Sequence, residues 1–357
     1  MPQVKPEIES FARIKVIGIG GSGCNAVSRM VSQKIKGVDF IGINTDAQAL
    51  HSCRAPEKIL IGKNITRGLG TGMNVDIGKQ SIEESREEVE EAIKGADMIF
   101  VTCGLGGGTG TPGIPIIAEI SRNLGALTVG ITTKPFSFEG KQRMEIAENG
   151  LLELKDKVDS LIVIPNDRVL TIIDDKTTLL NAFSLVDNIL SQGVQAISDL
   201  IVKPGIVNVD FADVKTIMKD SGWALMGIGK ARGEGRMETA TKIATSSPLL
   251  EVSIDGAKGV LFTIAGGDDL TMKEIDEGAR LITKLVDPEA KIIFGAVIDE
   301  SLRKGEVKTT VIATGFNHTP EIKASSFQRE EESKTEKENS QEDEWDIPAF
   351  LRKKEKK

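Results

Sequence analysis

The sequence predicts an α/β protein built on a doubly wound parallel sheet, followed by a second, smaller α+β region. Three observations carry that expectation. Between about residues 13 and 165, short β-branched runs alternate with helix-like stretches. Two of those runs end in glycine-rich turns, and one long amphipathic segment separates this half from a second strand-rich half.

In chain order, Arg13 to Ile19, Asp39 to Asn44, Met98 to Cys103, Leu127 to Thr132 and Leu161 to Pro165 read as strands. Their nearly unbroken apolar character suits a parallel sheet covered on both faces. The interleaved SIEESREEVEEAIK (81–94) and GIPIIAEISRNLG (113–125) read as helices, so ligands are expected at the carboxyl ends of the strands. From Thr177 to Lys203, Leu179, Phe183, Val186, Leu190, Val194, Ile197 and Ile201 recur at spacings of three and four. That is one face of a long helix, a central strut ended by Pro204 and Gly205. Beyond it, Ala224 to Lys230, Val260 to Ala265, Lys291 to Val297 and Thr309 to Ala313 suggest the strands of the second region.

From Phe316 the composition turns to QREEESKTEKENSQEDE, which has almost nothing to bury and reads as a disordered linker. The end, WDIPAFLRKKEKK, restores Trp345, Ile347, Phe350 and Leu351 beside a basic cluster, as in a peptide that folds onto a partner. The expected layout is an extension over 1–12, a nucleotide domain over 13–176, a central helix over 177–203, a second domain over 204–315, a linker over 316–344 and a partner-binding peptide over 345–357.

Composition narrows the function. The 357 residues are 39% hydrophobic, with 37 Gly and 12 Pro, as in a globular protein. A formal charge of -8 speaks against nucleic acid as a partner, since phosphate-backbone affinity comes mainly from basic residues. Cys24, Cys53 and Cys103 show no CxxC spacing, so neither a disulfide framework nor a zinc site is expected, and a reducing cytoplasm fits. The opening MPQVKPEIESFARIKVIGIGG is unlike a secretory signal, and with no run of 18 apolar residues membrane insertion is not expected. His51 and His318 offer little for histidine chemistry, His51 reading as a surface or packing residue.

The chemistry points to the glycine clusters. Gly18-Ile19-Gly20-Gly21-Ser22-Gly23-Cys24-Asn25 leaves a strand and enters a helix, where free amides and the positive helix end favour phosphate. The run also satisfies GxGxxG, which alone fits a dinucleotide site or plain strand-helix packing. A second cluster, Gly104-Leu105-Gly106-Gly107-Gly108-Thr109-Gly110-Thr111, follows another strand, with Pro112 suited to the first turn of a helix. Two loops at one sheet edge fit one triphosphate held from both sides, which a dinucleotide does not require. A side chain at Gly108 is expected to occupy the phosphate's space. No GxxxxGK[ST] occurs, so the chain is not a P-loop protein. Asp46, in Asn44-Thr45-Asp46-Ala47-Gln48, reads either as a ribose-binding acid or as a helix cap. Arg67-Gly68-Leu69-Gly70-Thr71-Gly72-Met73-Asn74 reads as a mobile loop. In Asn208-Val209-Asp210-Phe211-Ala212-Asp213, two carboxylates three apart suit an attacking water, although Asp213 alone reads as a helix cap.

The segments GIGGSGCNAV, NTDAQAL, RGLGTGMN, GLGGGTGT, KPFSFEGKQR, NDRVL and NVDFADV, in that order, resemble the FtsZ family, relatives of tubulin, from about Ile14 to Gly315. The tail DIPAFLRK resembles the family's terminal peptide. The resemblance implies a tubulin-like two-domain fold: a Rossmann-like GTPase domain and a smaller α+β domain joined by the central helix. It implies a GTPase, with GTP as substrate and Mg2+ on its phosphates. Gly21, Ser22, Gly23, Cys24 and Asn25 are then expected at the α and β phosphates, and Gly107, Gly108, Thr109, Gly110 and Thr111 at the β and γ phosphates. Glu139 and Arg143 are placed near the ribose and phosphates, and Asn166, Phe183 and Asp187 around the guanine. Phe183 and Asp187 stand one helical turn apart and so share a side. Asn208, Asp210 and Asp213 are expected to complete catalysis on the nucleotide of the next subunit, so that hydrolysis needs a head-to-tail filament. A division ring at midcell, on the inner face of the membrane, and an FtsA-like or ZipA-like adaptor on 345–357 are the further implications. The sequence departs from the family at Pro112, usually Gly, and at Met73 and Val75, usually Gly and Pro. Rival readings are an NAD-dependent oxidoreductase and a tubulin-like filament for DNA segregation.

Overall fold

Alternation of apolar residues toward two buried faces sets up a ten-stranded sheet. In strand β1 (Ile14–Ile19), Val16 packs into one cluster and Ile17 into another, and in β4 (Met98–Gly104) Phe100 and Val101 divide the same way. A strand buried on both faces has no polar side, hence the continuous apolar runs. The structure, a computed structural model, describes residues 12–171, 173–174, 176–202, 205, 207, 209–246, 253–299 and 302–316. All of them fall within one contact unit. The linker beyond Phe316 and the 345–357 peptide lie outside the described residues, as do Lys203 and Pro204.

The remaining elements of the first half are α1 (Gly20–Ser32), β2 (Val38–Asn44), α2 (Ala47–Ser52), β3 (Glu57–Leu60), α3 (Lys63–Thr66), α4 (Val75–Glu84), α5 (Arg86–Ile93), α6 (Gly110–Asn123), β5 (Leu127–Lys134), α7 (Lys141–Lys155), β6 (Ser160–Pro165) and α8 (Asn166–Leu170). Helix α9 (Leu179–Val202) follows. Then come α10 (Phe211–Met218), β7 (Gly222–Arg232), α11 (Arg236–Thr245), β8 (Gly259–Gly266), α12 (Met272–Thr283), β9 (Lys291–Ile298) and β10 (Glu306–Thr314). The strand order is β3-β2-β1-β4-β5-β6-β7-β10-β8-β9. Strands β3 to β7 along this order are parallel, and β10 runs antiparallel to both β7 and β8. The join between the halves is short: only Ser160, Leu161 and Ile162 of β6 register with Gly222, Trp223 and Ala224 of β7.

The predicted strands are all present, with three differences elsewhere. Strand β3 is an unpredicted edge strand, because only Ile59 of its four residues is buried and its apolar pattern is weak. The expected helix over 81–94 is two helices broken at Ser85, whose hydroxyl accepts from the Gly62 amide at 3.3 Å and whose backbone leaves helical geometry. Helix α6 begins at Gly110, on the glycine loop itself, not at Gly113. Pro112 therefore sits in the first turn, where amides have no intrahelical partner, whereas Pro115 is interior and forgoes one bond to the Thr111 carbonyl.

Helix α9 spans the sheet from edge to edge. Its 24 residues extend about 36 Å at the usual rise. Near its start, Phe183 meets Phe136, just past the carboxyl end of β5. At its end, Val202 lies 2.3 Å from where a Cβ on Gly37 would stand, immediately before the amino end of β2. Val186, Leu190, Val194 and Ile197 are buried as the spacing predicts, but Leu179 and Leu180 are 62% and 76% exposed. The first turn stands clear of the core, beyond the sheet's carboxyl edge.

In the second half, α11 rests directly on β7. A Cβ at Gly229 would stand 1.9 Å from the Ala240 carbonyl oxygen, and one at Gly227 1.8 Å from that of Ala244. Gly229→Val is thus expected to force α11 off the strand and to cost about 1–3 kcal/mol or more, read as a lower urea midpoint.

Candidate functional site

The two glycine clusters come together at the carboxyl ends of β1 and β4. A Cβ on Gly20 would lie 3.0 Å from the Gly110 amide nitrogen, and one on Gly110 3.0 Å from the Ile19 carbonyl oxygen. Helices α1 and α6 thus start side by side, each with unsatisfied amides and a positive end toward the same space. The Gly104 amide donates to the Ser22 hydroxyl at 2.8 Å, tying one loop to the other. A Cβ on Gly21 or on Gly107 would meet nothing within 4 Å. Those two residues border open space, the cradle a triphosphate needs.

Gly108 is different. A Cβ there would fall 2.4 Å from the Thr71 hydroxyl and 2.6 Å from the Met73 carbonyl carbon, not in the phosphate's space as expected from sequence. The glycine lets the 67–74 loop close onto the cluster. The Thr109 hydroxyl meets those of Thr45 at 3.0 Å and Thr71 at 3.4 Å, a three-hydroxyl group that sequence reading missed because its members are 64 and 38 residues from Thr109. The Thr111 hydroxyl accepts from the Gly106 amide at 2.9 Å and keeps its own proton to donate. Cys24 is buried, its thiol turned to the Gly18 and Ile43 carbonyls, so only its backbone faces the loop. Hydrogen bonding to Cys53, then burial, pushes that thiol up and keeps it protonated.

The departures at Met73 and Val75 both have a structural counterpart. Met73 has a φ of 68°, a left-handed conformation in which glycine is relaxed and a side chain is strained. Val75 is the first residue of α4, behind the Asn74 cap that accepts from the Ile77 amide at 3.1 Å. Proline suits that same position. Asp46 resolves to the cap reading: Oδ1 accepts from the Gln48 and Ala49 amides at 2.9 and 3.0 Å. The carboxylate is thus accounted for by its own helix, with no ribose needed to explain it.

A second group assembles around the Phe136 turn. The Phe136 ring is buried, stacked on Phe138 with centroids 4.9 Å apart, and meets Phe183 edge-on at 5.4 Å. Glu139 accepts from the Phe136 amide at 2.9 Å and pairs with Arg143. The Arg143 carbonyl oxygen would stand 2.9 Å from a Cβ on Gly106, so this turn abuts the second glycine loop. Asn166 starts α8 at 5% exposure, and among the described residues its Oδ1 has no partner. A buried orphan acceptor implies a ligand or solvent donor. Asp187, one turn after Phe183, is pushed up to about 6 by burial, with the Arg29 guanidinium pulling it back in part.

The carboxylates of the NVDFADV segment are elsewhere. Asp210, not Asp213, is the cap of α10, with Oδ1 accepting from the Ala212 amide at 3.2 Å, and Asp213 lies in the first turn; both are exposed. The reason is local: only the residue ahead of the turn has the extended backbone that lets its side chain reach back. Asn208 lies outside the described residues. Val209 shares the neighbourhood of Gly295 with Leu200 from the last turn of α9, and the Met218 carbonyl at the far end of α10 accepts from Ser160, the first residue of β6. Asp210 and Asp213 therefore occupy the amino edge of the sheet, opposite the glycine loops.

A family model for the Tubulin/FtsZ family GTPase domain matches residues 13–174, and one for the FtsZ family C-terminal domain matches residues 222–317. Among solved structures, an empty FtsZ dimer from M. jannaschii is 46% identical, with a TM-score of 0.83 over 87% of this chain and 90% of that one. The GTPγS-bound CetZ2 protofilament of Haloferax volcanii is 22% identical, with a TM-score of 0.75 over 91% and 99% of the two chains, a likeness of fold.

The two glycine positions separate packing from binding. Gly107→Val is expected to keep the wild-type melting temperature and lose triphosphate binding, whereas Gly108→Val is expected to lower the melting temperature by displacing the 67–74 loop. Calorimetric melting and nucleotide titration of both variants check this.

Proposed function

Because this chain belongs to the Tubulin/FtsZ family, we propose that it is a GTP-dependent, self-assembling GTPase whose head-to-tail filaments form a division ring at the future septum and recruit other division proteins. The observation that carries this reading is the separation of the glycine loops from Asp210 and Asp213 by the length of α9. A pocket at one edge and carboxylates at the other cannot meet within one chain, but they can meet between two copies stacked in the same sense. Such a contact repeats without closing. The dimeric state of the M. jannaschii relative supports self-association.

In this reading the triphosphate lies between the α1 and α6 amino ends, against the amides of Gly21, Ser22, Gly23, Cys24 and Asn25 and of Gly107, Gly108, Thr109, Gly110 and Thr111. Glu139 and Arg143 face the ribose and phosphates. Asn166 Oδ1 accepts from the guanine, Phe183 stacks on it, and ionised Asp187 accepts its N1 and N2 hydrogens, which adenine cannot supply. The donors near the loops are hydroxyls and amides, with no metal-holding carboxylate cluster among the described residues. They fit a Mg2+ that arrives on the phosphates and neutralises their charge there. Asn208, Asp210 and Asp213 of the neighbouring copy orient and polarise the attacking water. No covalent nucleophile is needed, since phosphoryl transfer rests on positioning and charge stabilisation. Among the described residues no helix is long and apolar enough to cross a membrane. A cytoplasmic ring on the inner face of the membrane would therefore be tethered by an FtsA-like or ZipA-like adaptor on 345–357.

Two copies in one active site imply that specific activity rises steeply with protein concentration. Asp210→Ala keeps its pocket and Gly107→Val keeps its carboxylates, so each alone is expected to be nearly inactive. A mixture is expected to recover GTP hydrolysis, the second supplying its carboxylates to the first's pocket. A mixture no more active than the sum of its parts, with both proteins in the same sedimented polymer, would place catalysis within one chain.

Guanine recognition needs the ionised form of Asp187, whose carboxyl titrates at about 6. GTP affinity is expected to be constant above that pH and to fall about tenfold per unit below it. Titration calorimetry on the wild type and Asp187→Asn checks this, since the variant is expected to bind weakly without that pH dependence.

A further inference from the structure

Asp167 is the second residue of α8, half-buried, and it follows Asn166 directly. Its Oδ1 accepts from the Ser137 amide at 2.9 Å and its Oδ2 from the Ser137 hydroxyl. The carboxylate thus grips, at two points, a residue 30 positions away on the turn that carries Phe136 and Glu139. That turn continues into Arg143, which pairs with Glu139 and whose carbonyl abuts Gly106. Ser137 and Phe138 are otherwise exposed, so this carboxylate is what holds the outer part of the turn.

We propose that Asp167 is a positioning residue of the nucleotide site, which fixes the Glu139–Arg143 side of the pocket relative to the Asn166 side. The inference rests on the reading above, in which Asn166 faces the base while Glu139 and Arg143 face the sugar and phosphates. A carboxylate that accepts two hydrogen bonds holds the spacing between these groups without touching the nucleotide. Removing it frees the turn, and the ligand must then order that turn on binding. The penalty falls on the sugar contacts of Glu139, which is tied to the turn through the Phe136 amide, because the Arg143 backbone is held separately against Gly106. The fold is spared, since Phe136 stays buried against Phe183.

The test is binding of GTP and of 2′,3′-dideoxy-GTP to the full chain, wild type against Asp167→Ala and Asp167→Asn. Asp167→Ala is expected to weaken GTP about tenfold and dideoxy-GTP less than about threefold, since the second ligand lacks the hydroxyls that the turn meets. Asp167→Asn is expected to stay within about threefold of wild type for both, because its carboxamide oxygen still accepts from the Ser137 amide. Equal weakening of both ligands by Asp167→Ala would make the residue merely structural and overturn the inference, as would wild-type affinity for GTP. A wild type that binds no GTP would instead overturn the reading of the site itself. A wild type that binds both ligands alike would remove the sugar assignment and the inference with it.

Discussion

The approach of two backbones, Gly20 against Gly110, is the constraint on which the site depends. Strands β1 and β4 are neighbours in the sheet, so the turns that leave them share one edge. Gly20 is required mainly by its backbone, which has a φ of 71° that side chains rarely adopt, and a Cβ at Gly20 or Gly110 would also press the two turns apart by a few tenths of an ångström. At Gly23 distance decides, since a Cβ there would stand 2.6 Å from the Thr102 carbonyl oxygen. Gly21 and Gly107 are the complement: bare backbone beside open space, of the kind that can admit an anion and that a side chain would take away.

From that edge the rest of the pocket is held by contacts that run across the sheet. Phe136 joins the carboxyl end of β5 to α9, and Asp167 joins the same turn to α8. Three elements far apart in sequence thus reach one small region, and each contributes a different chemistry: a ring, an amide, a carboxylate. Burial is what makes the carboxylate useful. Asp187 is shielded enough to be raised to about 6, and partly offset by Arg29, so it remains ionised near neutral pH and yet is not fully solvated.

Helix α9 turns this one-sided pocket into a molecule with two different ends. Its length places Phe183 at one edge of the sheet and Leu200 beside Val209 at the other. The exposed first turn, with Leu179 and Leu180, belongs to the pocket end, and the Asp210 cap belongs to the opposite one. A helix of this length keeps the two ends apart.

Local pattern was enough to read the alternating strands, the long helix, the glycine clusters and the order of segments that resemble the FtsZ family, because each of these is a statement about neighbours in the chain. Burial on both faces makes a parallel strand apolar throughout, and an amphipathic strut repeats every three or four residues, so both leave a mark within a dozen positions. The tertiary structure alone decided what meets across the fold. It put Thr45 and Thr71 beside Thr109, packed Gly108 under the Met73 backbone and not against a phosphate, gave the cap of α10 to Asp210 in place of Asp213, and clamped Ser137 with Asp167. Such pairings depend on distances between segments that no local periodicity encodes, and a glycine looks the same in sequence whether its missing side chain makes room for a ligand or for the chain itself.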